Sequence, residues 1–418
     1  MQERSEDVKE ELIRITRLDN GIRVVSERMP FVRSAAVGIW VAAGSRDETA
    51  ENNGIAHFIE HMLFKGTLHR SAREIAACLE SRGGALNAST GKETTSYTAH
   101  VLAEDLAYAV DVLADLILFP KFDPQDIELE KQVVLAEMAE SFDDPEELVF
   151  DYFYQNIFTD HPLGLFVYGR PETVKAFSRG DLADFKQRIY TPENIVVAAA
   201  GLVEHEQFVE LVEKAFADFS AAGNNPRRNG LMKAPPPFVP HRLASIHQAH
   251  VCYGARTFGI DDERKYALAL LDALLGGGMS SRLFQNIREK YGFTYSVYTF
   301  ADLMQDCGVF GAYLACDKAK VDRSIGLLKD EIEKLKDGDL SEKELDEAKA
   351  QVRGHLIMGM ESPGRRLKKI AETESYRLPH LTVDEIIDSI YAVTNHQVTE
   401  MVRDLFKEGN INTTVVLP

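Results

Sequence analysis

"YTPENIVVAAAGLV", residues 190–203, and "FKEGNINTTVVLP", residues 406–418, decide the architecture of this chain. Each reads as an aromatic residue, a short turn, Asn-Ile, and then a run of small or β-branched residues suited to a strand. They stand 216 residues apart. At the same offset "DPQDIELEK" from Asp123 faces "DLSEKELDE" from Asp339, and each reads as the capped start of a long helix. Two matches at one offset in 418 residues predict a duplicated domain.

Between the copies, residues 221–241 are rich in Gly, Asn and Pro and carry no apolar period, as a linker does. The expected organisation is a first half over 1–222, a linker over 223–241 and a second half over 242–418. Within each half the pattern is mixed. "TRLDNGIRVVSE" predicts a hairpin through Asn20-Gly21, and "RSAAVGIWVAAGS" a strand. Helices are expected near 54–64, 72–82, 104–118, 124–142 and 145–157. Two alternating strands within "GGALNASTGKETTSYTAHV" interrupt them. The second half repeats the theme, with a strand at 247–255, a helix at 262–275, strands across 292–316 and helices from 318 onward. Hairpins with clustered helices predict an α+β fold of two mainly antiparallel sheets, not a doubly wound one. Gly276, Gly277 and Gly278 lack a following GK[ST], so they form a tight connection and not a phosphate loop.

Composition narrows the function classes. The chain is 45% hydrophobic and 27% charged, ordinary for a globular protein. A formal net charge of −19 argues against nonspecific nucleic-acid binding, which requires phosphate neutralisation by Lys and Arg. No apolar stretch is long enough to span a membrane. The N-terminal "MQERSEDVKEELIRITRL" is charged from its second residue, unlike a secretory signal. Four dispersed cysteines without CxxC predict free thiols in a reducing compartment, so a cytoplasmic location is expected.

The chemistry concentrates in "GIAHFIEHMLFKGT", residues 54–67. Asn52-Asn53 read as caps and Gly66 as a stop, so His57 and His61 share one helical face at the i, i+4 spacing that lets two imidazoles hold one cation. Glu60 lies one turn from His57 and can reach water at the metal without being a ligand. Two histidines do not complete a catalytic zinc site, which takes three protein ligands and an open position. The helix "DPQDIELEKQVVLAEMAESFDD" offers carboxylates, and spacing alone leaves Glu128, Glu130, Glu137 and Glu140 all open.

His57-x-x-Glu60-His61 with Glu137 further on resembles the inverted zinc motif of the pitrilysin/insulysin superfamily. The string "GIAHFIEHMLFKGT" is most similar to the branch holding the catalytic subunit of mitochondrial processing peptidase and its bacterial relatives. "GGALNAST", "LEKQVVLAEM" and "SSRLFQNIREKYGFTYSVY" fall where that family has its signatures, so the resemblance spans nearly the whole chain. It implies two homologous α+β halves forming half of a clam-like chamber, and a zinc endopeptidase for unfolded peptides.

By this resemblance His57, His61 and Glu137 bind Zn²⁺, and Glu60 is the general base acting on zinc-bound water. Glu130 orients a ligand histidine from behind. Asn87 and Ala88 lie on an edge strand that pairs with substrate. Tyr295 donates to the developing oxyanion and Arg288 holds the substrate backbone. The 216 offset places the counterpart of His57–His61 in or beside "DALLG", residues 272–276, which has neither His nor Glu. One zinc per chain follows. Related enzymes of this length pair, which implies a homodimer. The acidic chain and the basic leaders read by the related enzyme together suggest a preference for basic peptides. The alternative is a non-catalytic partner subunit, like the respiratory-complex core proteins of this fold, but those have lost ligands that this chain keeps.

Overall fold

Two mixed sheets, one built from each half, carry the structure. A computed structural model describes residues 12–220, 232–243 and 245–418. The first sheet holds β1 (Ile13–Arg17), β2 (Arg23–Arg28), β3 (Ser34–Val41), β4 (Ala85–Thr90), β5 (Thr95–Leu102) and β6 (Ile195–Gly201). Its order is β1-β2-β6-β3-β5-β4, so β4 is an edge. The second holds β7 (Phe238–Arg242), β8 (Ala249–Thr257), β9 (Thr294–Leu303), β10 (Gly308–Cys316) and β11 (Ile411–Leu417), in the order β7-β11-β8-β10-β9. In each sheet one pair is parallel, β2 with β6 and β7 with β11, and the other pairs are antiparallel. The five strands of the second sheet thus repeat β2, β6, β3, β5 and β4 in connection and direction. The 216 offset carries β6 onto β11 residue for residue.

The stretch read as a linker ends in structure. Its residues 223–231 lie outside the described residues, but 238–241 belong to β7, which pairs with β11. Alternation of exposure in "FVPHR" is too short to mark an edge strand against Pro-rich surroundings.

The helices of the first half are α1 (Ile55–Leu63), α2 (Ala72–Glu80), α3 (Leu106–Leu118), α4 (Pro124–Asp143), α5 (Pro145–Ile157), α6 (Pro171–Ala176), α7 (Arg179–Ile189) and α8 (His205–Ala215). Those of the second are α9 (Lys265–Leu275), α10 (Val321–Lys336), α11 (Glu342–Gly359), α12 (Pro363–Ser375), α13 (Val383–Ala392) and α14 (Asn395–Leu405). The helix following β8 is α9, and it packs on α11 as α1 packs on α4. The counterpart of α1 is therefore α9, which holds residues 272–275 of "DALLG" and starts earlier than the offset implies: the intervening loops differ in length, so one offset does not hold throughout. Like "DALLG", α9 contains no His or Glu. Arg353 of α11 stands 216 residues after Glu137.

Each half lends a helix to the other. Val149 and Phe153 of α5 pack with Cys252, Tyr313 and Val416 of the second sheet. Leu367, Ile370 and Ala371 of α12 pack with Val25, Trp40, Val196 and Ala198 of the first. Each large apolar side chain fully buried there contributes about 1.5–3 kcal/mol. A buried ion cluster reinforces the junction. Arg46 Nη1 reaches Glu93 Oε1 at 2.7 Å, and its two terminal nitrogens reach Asp306 Oδ1 and Oδ2 at 2.6 and 2.7 Å. The four cysteines are buried and free. Among the described residues no helix is long and apolar enough to cross a membrane.

Candidate metal centre

α1 turns Phe58, Ile59, Met62 and Leu63 into the core of the first half. Its N-terminus is not capped by Asn52 or Asn53, as the sequence suggested. The cap is Gly54, at φ 94° with no side-chain cap bond. A Cβ there would lie 2.6 Å from the Tyr168 carbonyl oxygen, so only glycine fits. The orphan amides are taken instead by the buried Glu48. Its Oε2 accepts from Gly54 N at 2.7 Å and its Oε1 from Ala56 N at 2.9 Å. Asn53 Nδ2 donates to the same carboxylate at 2.9 Å. Burial pushes Glu48 up to about 7 despite these donors.

α4 crosses α1 and delivers two glutamates to it. His57 Nε2 lies 3.7 Å from Glu137 Oε1, and His61 Nε2 lies 3.4 Å from Glu137 Oε2. One ligand atom from each of His57, His61 and Glu137 falls within 4.8 Å of the others. Glu137 is half-exposed, which leaves the cluster one open side. Of the four glutamates that spacing left open, Glu130 is buried behind His61: its Oε1 is 2.8 Å from His61 Nδ1 and its Oε2 is 2.5 Å from Lys65 Nζ. Glu128 pairs with Lys131.

These groups fit a divalent cation. An ionised Glu130 only accepts, so the His61 proton is assigned to Nδ1 and the lone pair to Nε2. That lone pair faces a Glu137 oxygen, also an acceptor, and either a proton on Nε2 or a bound cation reconciles the two. Burial disfavours a charged His61, yet the Glu130 bond and the charges of Glu137 and Glu60 outweigh it and raise its pKa. Burial acts to raise Glu130, but bonds from His61 and Lys65 prevail and lower it. Burial, and then His61, press His57 down to about 4, keeping it neutral, as ligation needs. Two imidazoles, one carboxylate and an open side make the donor set of a catalytic zinc site.

Glu60 is mostly buried beside this cluster. Thr90 Oγ1, at the end of β4, donates to Glu60 Oε2 at 2.5 Å. Burial raises the Glu60 pKa and the Thr90 bond opposes it. Asn87 and Ala88 lie on β4, opposite Thr98 and Tyr97. Gly91 N bonds Thr94 O, which fixes the alternation of the ladder. By it the N–H and C=O of Ala88 point off the sheet edge. That N–H is taken by the Asn87 side chain, whose Oδ1 accepts it at 2.9 Å.

Arg288 and Tyr295 meet each other. The Arg288 guanidinium lies 4.8 Å from the Tyr295 ring centre and 4.5 Å from that of Phe284. Arg288 is on a π-helical turn, Phe284–Glu289, and Tyr295 is bulged out of β9: Ser296 pairs with Ala315 and Thr294 with Cys316. Tyr295 is 80% exposed. Bulges and π-turns both re-aim side chains. Among the described residues no hydrogen bond or ion pair joins this pair to the metal cluster.

Lys65, Thr90 and Glu48 escaped the sequence reading. Lys65 follows His61 by four residues, and Thr90 shares the face of Ala88 by strand period, so both signals were present. Nothing local marked Glu48.

A family model described as insulinase (peptidase family M16) matches residues 23–170, and one described as peptidase M16 inactive domain matches residues 176–352. An uncharacterized zinc protease of Mycobacterium tuberculosis is 40% identical over 400 residues, covering 94% of this chain and 90% of its own. The uncharacterized zinc protease YmxG of Bacillus subtilis is 38% identical over 392 residues, 93% of this chain and 94% of its own. A protease from Helicobacter pylori shares the fold at TM-score 0.90, with 22% identity over 97% of this chain and 99% of its own. A peptidase M16 inactive domain structure from Pseudomonas fluorescens shares it at 0.88, with 21% identity over 97% of this chain and 98% of its own.

Proposed function

The chain belongs to the insulinase family of peptidases, M16, and from that premise we propose that it is a zinc-dependent endopeptidase for unfolded peptides. The observation that carries this reading is the convergence of His57, His61 and Glu137 within 4.8 Å, with Glu60 on the same helix as the two histidines. Zn²⁺ held there, one per chain, supplies Lewis acidity and lowers the pKa of a water to about 7.

With the metal bound, Glu60 would accept a proton from the attacking water and would pass it to the leaving nitrogen as the C–N bond breaks. Glu130 holds His61 in the tautomer that ligation needs. The outward backbone of β4 at Ala88 takes the peptide as an added strand, with Asn87 releasing the amide it covers. Arg288 and Tyr295 act together on the substrate, Tyr295 as oxyanion donor and Arg288 as backbone clamp. Their pairing and the exposure of Tyr295 support this role, which requires the second half to face the bound peptide.

The similarity of "GIAHFIEHMLFKGT" supports grouping the chain with the bacterial relatives of the mitochondrial processing peptidase catalytic subunit. In this reading one chain forms half of a chamber and two copies close it, in the cytoplasm. The net charge of −19 supports a preference for basic peptides, which matched acidic and basic substrates at low salt test. The central experiment is metal analysis joined to cleavage of a quenched fluorescent peptide, with Glu60→Gln as control. Full zinc occupancy with no turnover in the assembled wild type would overturn the reading.

A further inference from the structure

We propose that Thr90 positions the general base, joining Glu60 to the end of the strand on which the peptide lies. The proposal rests on the functional reading above and adds a residue to it.

The geometry is direct. Thr90 Oγ1 donates to Glu60 Oε2 at 2.5 Å, across thirty residues of sequence and in a partly buried setting where water competes poorly. A carboxylate on a flexible side chain has two equivalent oxygens and free rotation about its last bond. One short bond to Oε2 sets that rotation and leaves Oε1 to take a proton. The donor is itself held. Thr90 pairs with Thr95, whose hydroxyl donates to Ala43 O at 3.0 Å. The turn after Thr90 is braced by the chain leading to α1: Ser45 N donates to Gly91 O at 3.2 Å and Arg46 N to Lys92 O at 2.8 Å. A Cβ on Gly44 would lie 2.4 Å from Gly91 O, so the two segments touch at backbone distance.

The register of β4 gives the bond its meaning. Thr90 is two residues beyond Ala88, so its own N–H and C=O also point off the edge while its side chain reaches Glu60. A peptide added along β4 therefore meets one residue that touches both its backbone and the base. Threonine supplies a β-branched side chain suited to a strand and a hydroxyl suited to a carboxylate; valine keeps the first and loses the second.

The test uses Thr90→Val and Thr90→Ser in the full-length zinc-loaded protein. Thr90→Val is expected to keep its zinc and its KM within about twofold while kcat falls about 10- to 100-fold, the scale of a misplaced catalytic group. Thr90→Ser restores kcat to within a few-fold. A crystal structure of Thr90→Val is expected to show Glu60 in more than one rotamer, against one in the wild type. An unmoved Glu60, an unchanged kcat, an equal loss in both variants, or loss of zinc from Thr90→Val each overturns the proposal. The rotamer does not depend on turnover, so a wild type that cleaves nothing sinks the functional reading while the crystal structure still decides this one.

Discussion

His61 Nδ1 and Glu130 Oε1 lie 2.8 Å apart, and the second Glu130 oxygen lies 2.5 Å from Lys65 Nζ. The ligand helix is thus tied at two points, His61 and Lys65, to one buried carboxylate of α4. Glu130→Gln keeps the shape but replaces an acceptor-only group, so the His61 tautomer is no longer enforced. Zinc affinity is expected to fall about 10- to 100-fold. Competition against a chelator of known affinity measures it, and an unchanged affinity would exclude the orienting role.

Glu60→Gln removes a base and no ligand. It is expected to hold zinc as the wild type does and to lose nearly all turnover, roughly 10²-fold or more. His61→Ala is expected to lose both. Substantial kcat in Glu60→Gln would reassign the base.

Ala88→Pro tests the edge strand. The Ala88 N–H points away from β5, so proline removes no ladder bond and is tolerated where an interior strand would reject it. Zinc is expected to stay while KM rises about tenfold, through loss of one main-chain bond to substrate. Unchanged KM would show that peptides do not use this amide.

Glu48 predicts a pH dependence. Burial raises it from 4.5 to about 7, so the folded chain keeps a proton that the unfolded chain has released. Its stabilising contribution is present below about 4.5 and lost as pH rises through about 7. Glu48→Gln is neutral throughout and escapes that loss. Its stability relative to wild type is therefore expected to improve between those limits, by up to about 3 kcal/mol. Paired Tm measurements across pH read the difference, and a constant offset would refute it.

A homodimer is expected in solution. Sedimentation at micromolar concentration should show about 94 kDa, twice the chain mass of 46.8 kDa. A 47 kDa species alone (about one chain) would contradict the two-copy chamber.

What the sequence disclosed was what neighbouring residues settle among themselves. The i, i+4 spacing of His57 and His61 needs only a helix. The 216 offset links β6 to β11 because both copies kept the same strand and turn. Glu137 was different: four glutamates lay on α4, and the crossing of α4 over α1 selects among them, which no local pattern encodes. Resemblance chose it. The cap at α1 was misread for a similar reason, since Glu48 reaches the helix only after the chain folds back. The bulge at Tyr295 and the π-turn under Arg288 are local departures from regular period, which composition does not announce.

The exchange of α5 and α12 bears on whether a half can stand alone. A single half, made alone, would leave one face of its sheet bare and its own helix with nothing to cover. Two halves trading those helices cover both faces at once. In the present chain the two partners of that exchange are covalently joined, and only the first carries the histidines of the metal cluster.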